Sequence, residues 1–375
     1  MSILYRAYKY RIYPNQKQKV ALAKTFGCCR KIYNLMLSET NDFYKKTGKL
    51  PQLSVEKYFT DHPYLMEVDR SALYCEKFHL SDAFRYYFNI EGRGYPKFKS
   101  YKSFRKSYTT KSYRENVKVM DKGILLPFIG LVKAKIYKQL PDMAYLNSAT
   151  VSVEADGKYY ASILFKYEKS IVPIPVSRNK IIGLDYKSDG LYMSSNGRMP
   201  KDFEKYFRKN EKKIVKAQRK LTHKVIGSKN YQKQQQAVAK IHKKISNQRN
   251  YYLHRLSAMM AKACDAVCIE DISLKEISVK GSRLGKSTMD NSYQKFQAML
   301  NYKLAEKGKQ LIKVGKYFPS TQICSHCGRR HRLKLSERKF ICPCGVSIDR
   351  DFNAAINIKE EGTHIMVKEG VKLID

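Results

Sequence analysis

The sequence predicts an α+β chain of several domains, on three observations. Runs in which apolar and polar residues alternate, as in half-buried strands, occupy the first residues and return after residue 116. Segments with apolar residues at three- and four-residue steps, typical of amphipathic helices, lie between these runs and again after residue 200. The 375 residues are enough for two or three hydrophobic cores.

The first half of the chain divides into helical and β-rich parts. Residues 3–13 alternate like a strand, Asn15 and Gln18 form the pattern of a capping box, and helical periodicity continues to about residue 90. The alternating runs after residue 116 predict antiparallel strands that the first strand joins. We therefore expect three parts: a β-rich domain of residues 1–13 and 91–172, a helical domain of residues 14–90, and a linker over 173–179.

The charge of the chain restricts its partners. The sequence holds 73 Lys and Arg against 33 Asp and Glu, a formal net charge of +40, and this self-repulsion favours a polyanionic partner. Nucleic acid fits best, because each neutralised phosphate also releases condensed counterions. A membrane is disfavoured, since no stretch approaches the roughly 18 consecutive apolar residues of a membrane span. The start lacks the apolar region of a signal peptide, so we expect a reducing, cytoplasmic or nucleoid-associated location.

Residues 91–114 combine basic and aromatic side chains. The stretch holds eight basic residues against one acidic residue, interleaved with Tyr and Phe. Aromatic rings stack on bases while Lys and Arg contact phosphates, so this composition indicates a nucleic-acid surface. The alternative is a loop whose rings fasten it to a core. The candidate contacts are Tyr95, Lys97, Phe98, Lys99, Lys102, Arg105, Lys106 and Tyr108.

The second half opens with a strand, a tight turn and a second strand over residues 180–199, and two long helical segments follow. Residues 201–224 hold ten basic residues against three acidic ones, and apolar residues in 229–262 recur in a heptad-like seam. We expect a helical hairpin whose basic face lies on nucleic acid. Its candidate contacts are Lys212, Lys216 and Arg219.

Three acidic residues stand out by their context. Asp185 ends the apolar run 181–184, Glu270 ends a second apolar run, and Asp351 opens a predicted helix. A carboxylate at the end of a buried strand is costly unless it meets a cation or a hydrogen-bond donor. Each acid alone would more often be a cap or an ion-pair partner, but the three together would form the oxygen-rich site that Mg²⁺ prefers. Two ions there could activate water and stabilise the leaving oxygen of a phosphodiester.

Four late cysteines have the spacing of a zinc ribbon: Cys324, Cys327, Cys342 and Cys344. Fourteen residues separate the two pairs, and a glycine follows the second cysteine of each pair. Four thiolates suit tetrahedral Zn²⁺ without an open coordination position, so we expect a structural ion. His326 and His331 could substitute as ligands, but we expect them to be exposed basic or polar residues. We expect the other five cysteines to be buried free thiols, because they lie in apolar surroundings.

Several motifs, taken in their order, resemble those of one family. GLDYKSDGLY, the strand-ending Glu270, the CSHCG…CPCG ribbon and DRDFNAAINI resemble the split RuvC-like domain of the TnpB (OrfB) proteins of bacterial insertion sequences. YKYRIYPNQKQKVALAKTFGCCRKIYN resembles the helix-turn-helix-like opening of that family, and GYPKFKSYKSFRKSYTT resembles its central basic motif. The resemblance covers nearly the whole chain.

The resemblance implies an RNA-guided DNA endonuclease that carries a guide RNA and cuts target DNA beside a short motif. It implies an RNase-H-like (RuvC) α/β nuclease domain over 180–317 and 349–375, into which a target nucleic-acid-binding zinc ribbon, residues 318–348, is inserted. The β-rich part would be a small barrel-like wedge domain, and its helical insertion would be the recognition domain. We expect a monomer.

The resemblance also implies site residues. Asp185, Glu270 and Asp351 would be the catalytic acids that hold two Mg²⁺ ions, and the four cysteines would hold Zn²⁺. Asp349 is not chosen, because the acid of the family's motif stands directly before the xNAA segment. Two features depart from the family pattern. The second cysteine pair is spaced C-x-C, which would strain the zinc geometry or weaken one ligand, and Lys187 stands where a small residue is common. A cation there would compete with metal or contact the scissile phosphate.

Three alternatives remain open. A miniature type V CRISPR effector would carry the same motifs, and only a neighbouring repeat array would distinguish it. A nuclease-inactive RNA-guided repressor or transposition accessory protein is the second, and the three intact acids argue against it. A strand-joining transposase is the third, but the sequence shows no evident transesterifying Tyr with a pair of His residues.

Overall fold

The computed structural model divides into two compact units, Met1–Lys169 and Ser170–Asp375. It describes residues 2–101, 106–113, 115–137, 144–272, 285–334 and 337–375. In these ranges no helix is long and apolar enough to cross a membrane.

The first unit contains one large antiparallel sheet. Its strands are β1 (Ser2–Tyr13), β2 (Lys106–Lys111), β3 (Lys118–Met120), β4 (Gly123–Leu126), β5 (Gly130–Ala134), β6 (Tyr145–Val153) and β7 (Tyr159–Lys169). Their order is β2-β6-β7-β1-β5-β4-β3. The first strand therefore lies inside the sheet, paired with β7 along most of its length and with β5 at its end. Its alternation buries Tyr8, Tyr10 and Ile12 and leaves the residues between them exposed.

Two helices complete the first unit, α1 (Gln16–Thr47) and α2 (Arg70–Asn89). The predicted capping box is confirmed: the Asn15 side chain accepts from the Gln18 N–H at 2.9 Å, and the Gln18 side chain accepts from the Asn15 N–H at 3.0 Å. The apolar stripe of α1 is buried against the sheet and α2. The helix ends at Gly48, whose φ of +67° is the left-handed conformation that glycine adopts without strain.

The second unit is built on a four-stranded mixed sheet. The sheet contains β9 (Ile181–Lys187), β10 (Leu191–Ser194), β11 (Ala266–Glu270) and β12 (Gln310–Val314), in the order β10-β9-β11-β12. Strands β9, β11 and β12 are parallel, and β10 returns antiparallel to β9. The carboxyl ends of the three parallel strands consequently share one edge of the sheet.

Short strand pairs lie outside this sheet. They are β13 (Lys339–Ile341) with β14 (Ser347–Asp349), and β8 (Val176–Ser177) with β15 (Leu373–Ile374). The pair of β8 and β15 is parallel and joins the range predicted as a linker to the end of the chain.

Helices cover the sheet of the second unit. They are α3 (Tyr206–Thr222), α4 (Lys229–Ala263), α5 (Gly285–Asn291), α6 (Tyr293–Ala305) and α7 (Arg350–Lys368). Helices α3 and α4 pack against each other, as the predicted hairpin requires. The buried Asp290 carboxylate accepts from the N–H groups of Phe207 and Arg208 at the start of α3 and pairs with Arg249 of α4. This ion pair joins three helices at one point.

Helix α7 approaches the sheet closely enough to require two glycines. A Cβ at Gly183 of β9 would lie 2.1 Å from the Ala355 carbonyl oxygen and 2.6 Å from the Lys359 nitrogen. A Cβ at Gly362 of α7 would lie 2.3 Å from the sulfur of Cys268 in β11. Such contacts are shorter than any van der Waals separation, so these two positions fix how deeply the helix lies on the sheet.

Candidate active site and metal centre

The sheet places two of the three acids side by side. Leu184 of β9 is paired with Ile269 of β11, and Asp185 and Glu270 are the next residue of each strand. Asp351 is the second residue of α7, which packs across β9 and β11. The sequence predicted all three positions, and the fold brings them to the carboxyl edge of the sheet.

Burial and like charge act together on these acids. Asp185 is only 7% exposed. Burial, and then the negative charges of Asp351 and Glu270, raise the pKa of Asp185 well above its usual value. Burial also raises the pKa of Glu270. Because the ionised forms are disfavoured without a counter-charge, the cluster has the electrostatics of a cation site.

A lysine already supplies one positive charge to this cluster. The Lys187 ammonium donates to Asp351 Oδ2 at 2.6 Å, and the two side chains are 17% and 13% exposed. Burial alone would lower the pKa of Lys187, but the hydrogen bond and charge of Asp351 outweigh it and raise the pKa. Arg350 Nε lies 3.7 Å from the other Asp351 oxygen.

The neighbouring Asp349 has a different role. Its side chain accepts from the N–H groups of Asp351 at 2.9 Å and Phe352 at 3.0 Å, and so caps the first turn of α7. The cap fixes the backbone from which the Asp351 carboxylate projects. Asp349 therefore serves the helix terminus, which agrees with its exclusion from the predicted acids.

Two side chains that the sequence did not single out support the β9–β10 turn: Asn291 of α5 and Lys205, which directly precedes α3. Asn291 is fully buried, and its amide donates to the carbonyls of Lys187 at 3.1 Å and Ser188 at 3.0 Å. The Lys205 ammonium donates to the same Ser188 carbonyl at 2.8 Å. Burial raises the pKa of Tyr293, and the charges of Asp185 and Glu270 add to that effect. The only signal in the sequence was a polar Asn-Ser step between two helices.

Among the residues that the structure describes, one group of three or more His, Cys, Asp or Glu side chains has all its ligand atoms within 4.8 Å of one another. It consists of Cys324, Cys327, Cys342 and Cys344. The sulfurs of Cys324 and Cys344 are 3.6 Å apart, as are those of Cys327 and Cys342. A tetrahedral ion with Zn–S bonds of about 2.3 Å requires S···S edges of roughly 3.8 Å. The four thiols therefore fit such an ion, and the C-x-C spacing does not prevent it.

The local backbone favours the thiolate form of Cys324 in this cluster. Burial works against ionisation of Cys324, but the N–H groups of Cys327 and His326 outweigh it and lower the pKa of the thiol to about 6. His331 lies beside the cluster, with Nε2 3.3 Å from the Cys342 sulfur and its ring edge-on to the buried Phe340. His331 thus contacts the Cys342 sulfur, and the cluster of four sulfurs does not include this histidine.

Two asparagines of α7 connect the cysteine cluster to the helix that carries Asp351. The Asn353 amide donates to the Ile323 carbonyl at 2.7 Å, and its oxygen accepts from the Ser325 N–H at 3.0 Å. Asn357, one turn later, donates to the carbonyls of Ser320 and Ile323 at 2.7 Å each. Neither asparagine was predicted from the sequence. Their signal was a pair of amides four residues apart on an otherwise apolar helix face.

The predicted basic and aromatic surface of the first unit is only partly free for nucleic acid. Tyr108 is a correction: it is 2% exposed, and its ring packs 5.7 Å from that of Phe26 in the core. Alternation along β2 points this ring inward, whereas composition alone suggested a stacking surface. Tyr95 contacts Phe84 and Tyr87 edge-on. These ring contacts pack Tyr95 against α2.

Lys99 also has partners within the first unit. Its ammonium pairs with the buried Glu76 and lies 4.0 Å from the ring centroid of Tyr33. Its backbone exchanges two hydrogen bonds with the Asn34 side chain, at 3.0 and 2.8 Å. Phe98, by contrast, is 56% exposed, and Lys97 beside it is also exposed. Lys106 is half-buried against the ring of Tyr101, and the predicted contacts Lys102 and Arg105 lie outside the described residues.

The predicted contacts on α3 share one face. Together with neighbouring side chains they line a concavity of about 760 Å³. The lining consists of Arg208, Glu211, Lys212, Val215, Lys216, Arg219, Lys220 and His223. Six of these eight side chains are basic or imidazole groups, so the face is strongly attractive to phosphate.

Three family models match successive parts of the chain. A "Helix-turn-helix domain" model matches residues 1–49, a "Probable transposase" model matches residues 150–279, and a "Cas12f1-like, TNB domain" model matches residues 293–358. The last range contains all four clustered cysteines and Asp351. The first two models are those of OrfB proteins of the IS605 group.

Known proteins resemble the chain over nearly its full length. A Streptomyces pristinaespiralis protein named "Putative RNA-guided DNA endonuclease" is 31% identical, over 95% of this chain and 89% of its own. "Putative RNA-guided DNA endonuclease InsQ" of Escherichia coli K12 is 28% identical, over 96% of this chain and 93% of its own. A Cas12f1 chain solved with sgRNA and target DNA has a TM-score of 0.59 at 13% identity, over 95% of this chain and 99% of that chain. At that identity the likeness shows the fold.

These findings define the class of the protein as a mixed α/β protein with the fold of a Cas12f1 chain and a zinc-ribbon-like cysteine cluster. The identity to the Streptomyces protein over almost the whole chain then narrows the class to a family. The chain belongs to the TnpB (OrfB) family, and the resemblance drawn from its motifs is confirmed.

Proposed function

We propose that this chain is an RNA-guided DNA endonuclease whose cutting site is formed by Asp185, Glu270 and Asp351. Membership of the TnpB family supports the activity. The observation that carries the site is the electrostatic coupling of the acids: Asp351 and Glu270 both raise the pKa of the buried Asp185. Three acids that destabilise one another at a sheet edge, in a chain with net charge +40, are suited to a cationic cofactor and a polyanionic substrate.

Divalent magnesium is the cofactor that the three acids would hold. Carboxylate oxygens are the hard ligands that Mg²⁺ prefers, and two such ions would supply an activated water and stabilise the leaving oxygen of the cut phosphodiester. The side chains set the geometry. The parallel pairing of β9 and β11 fixes Asp185 beside Glu270, and the Asp349 cap fixes the backbone of Asp351. Asp185 is the buried member of the three acids, at 7% exposure.

Zinc is the ion that we propose for the cysteine cluster. The 3.6 Å sulfur separations suit tetrahedral thiolate coordination, which leaves no open position and is therefore structural. The hydrogen bonds of Asn353 and Asn357 connect the ribbon to α7, the helix that also carries Asp351. We propose the ribbon, residues 318–348, as a target nucleic-acid-binding insertion within the nuclease domain.

A guide RNA and a target DNA with a short adjacent motif are the proposed partners. The relatives are named as RNA-guided DNA endonucleases, and the Cas12f1 chain of the same fold was solved with sgRNA and target DNA. The α3 face and the exposed Lys97 and Phe98 are the proposed contacts. We propose that the protein acts as a monomer in the bacterial cytoplasm and nucleoid, where these partners meet.

Removal of one acid tests the assignment. We expect Asp185→Ala to abolish cutting of a target that matches the bound guide, because the site loses a metal ligand. RNA and target binding, measured by gel shift in Ca²⁺, should stay within about threefold of the unmodified protein, a free-energy change of less than about 0.7 kcal/mol.

Asp271→Ala is the matched control. Asp271 directly follows Glu270, but it is 57% exposed and pairs with the equally exposed Lys313. Its loss should leave cutting intact, because exposed ion pairs contribute little. Cutting by Asp185→Ala at an undiminished rate, or loss of RNA binding in that variant, would contradict the proposed role.

The RNA bound to the protein separates the two guided functions. We would express the gene with its native flanking DNA, purify the protein and sequence the bound RNA. An RNA from the 3′ end of the gene establishes a transposon-type guide. A repeat-derived RNA indicates a CRISPR effector, for which the Cas12f1 fold is the supporting observation. Absence of any discrete RNA would contradict the proposed function.

A further inference from the structure

The Lys187 side chain is mostly buried, which is unusual for a lysine. It lies on β9 two residues beyond Asp185, so both side chains leave the strand on the same face. Its 2.6 Å contact with Asp351 Oδ2 is largely sheltered from solvent, at 17% and 13% exposure. A positive charge thus lies inside the acid cluster, at an oxygen that a metal ion would need.

The backbone around Lys187 is held as firmly as its side chain. Its carbonyl accepts from the buried Asn291 amide at 3.1 Å, and the next carbonyl accepts from both Asn291 and Lys205. The turn after β9 therefore cannot easily carry the ammonium away from the acids. The side chain alone can swing, because its four methylene groups rotate freely once Asp351 releases it.

We propose that Lys187 is a resident counter-ion of the cutting site. Its ammonium neutralises Asp351 in the metal-free protein and must leave that oxygen before a divalent cation can bind there. Lys187 is therefore a positioning residue that sets the metal concentration at which the site fills. This inference rests on the proposed function, because it takes Asp185, Glu270 and Asp351 as the metal ligands.

Two substitutions at position 187 separate the effect of the positive charge from the effect of packing. A counter-ion needs only positive charge, so Lys187→Arg should preserve its effect. Lys187→Met keeps most of the length and the apolar stem but removes the charge. An adjacent opposite charge changes the proton affinity of a carboxylate by about one to three pKa units. By the same electrostatics, Lys187→Met should tighten divalent metal binding by about tenfold or more.

Another lysine provides a matched control. Lys309 lies 3.2 Å from Asp265, and the side chains are 12% and 10% exposed. Neither residue lies in a strand: Asp265 directly precedes β11 and Lys309 directly precedes β12, whereas Glu270 ends β11. Lys309→Met therefore removes an ion pair of similar burial at the opposite edge of the sheet. It should lower the melting temperature without changing metal affinity.

The experiment measures metal binding directly on the full chain. Protein first loaded with zinc is titrated with Mn²⁺, and free Mn²⁺ is measured by electron paramagnetic resonance, with Asp185→Asn defining binding elsewhere. We expect Lys187→Met to bind Mn²⁺ about tenfold or more tightly, Lys187→Arg to match the unmodified protein, and Lys309→Met to match it also. The rise in melting temperature on adding Mn²⁺ should be largest for Lys187→Met.

The outcomes separate failure of this inference from failure of the proposed function. Unchanged or weaker Mn²⁺ binding in Lys187→Met, while Asp185→Asn abolishes the site, would overturn the counter-ion role and leave the acids in place. Tighter binding in Lys187→Arg as well would assign the effect to packing, which also overturns it. Binding that Asp185→Asn does not alter would show instead that the acids are not the ligands.

Discussion

At the residue scale, the buried carboxyl group of Asp185, which we propose as a metal ligand, lowers the stability of the metal-free protein. Asp185 is 7% exposed, and burial together with the charges of Asp351 and Glu270 raises its pKa. A carboxyl group whose pKa is higher in the folded than in the unfolded chain destabilises the fold once the pH exceeds its unfolded value. The metal-free protein should therefore become more stable as the pH falls through the raised pKa of Asp185 toward the unfolded value, because in that window the carboxyl group is protonated in the folded chain and ionised in the unfolded chain.

Asp185→Asn should accordingly stabilise the metal-free protein at pH 7, because the amide keeps the shape without the charge. We expect a higher melting temperature, with roughly 2–4 °C for each kcal/mol gained in a domain of this size. The gain should vanish when saturating Mg²⁺ is added, since the metal stabilises only the carboxylate form. Asp271→Asn, at an exposed position, is the control and should change little. A lower melting temperature for metal-free Asp185→Asn would show that the carboxylate is already satisfied.

At the element scale, α7 makes three separate structural contributions within its 19 residues. It presents Asp351 at its first turn, packs closely on β9 and β11 at Gly183 and Gly362, and binds the ribbon through Asn353 and Asn357. Small residues between the asparagines allow the close packing, since Ala354 and Ala355 are fully buried. The order of the ribbon and the position of the acid are thus coupled through one helix.

Asn353→Ala should weaken that coupling. The partly buried Ser325 N–H loses its acceptor beside Cys324, at a cost of up to about 1–3 kcal/mol, the range for a fully buried unsatisfied group. We expect a lower melting temperature and faster zinc release to a colorimetric chelator. Asn210→Ala is the control, because Asn210 bonds only one turn back on α3, to the Tyr206 carbonyl. Equal zinc release from both variants would refute a link between α7 and the ribbon.

The same helix shows what a sequence can and cannot predict. Asp351 and the four cysteines could be proposed because residue type and spacing already specify their chemistry. The glycines at 183 and 362 could not, because their reason is the approach of an element far away in sequence. Tyr108 was assigned to a nucleic-acid surface because composition does not state which face of a strand packs inward. Alternation along β2 decides that question only after the strand register is known.

At the scale of the whole molecule, the net charge of +40 is distributed over surfaces of different kinds. Some basic side chains are committed to the protein itself, as Lys99 is to Glu76 and Lys309 is to Asp265. The α3 face, in contrast, lines an open concavity with a dense set of basic groups. Counterion release upon phosphate binding should therefore come from faces like that of α3.

The salt dependence of nucleic-acid binding measures how many phosphates the basic side chains of α3 neutralise. We expect the triple change of Lys212, Lys216 and Arg219 to Gln to weaken binding of guide RNA or target DNA. It should also reduce the slope of log K against log salt by roughly 0.7–0.9 for each phosphate that the variant no longer neutralises, up to about 2–3 in total. The measurement is fluorescence anisotropy at several salt concentrations. Tyr108→Phe, a change inside the core, should leave the slope unaltered, and an equal slope in the triple variant would exclude α3 from the nucleic-acid-binding surface.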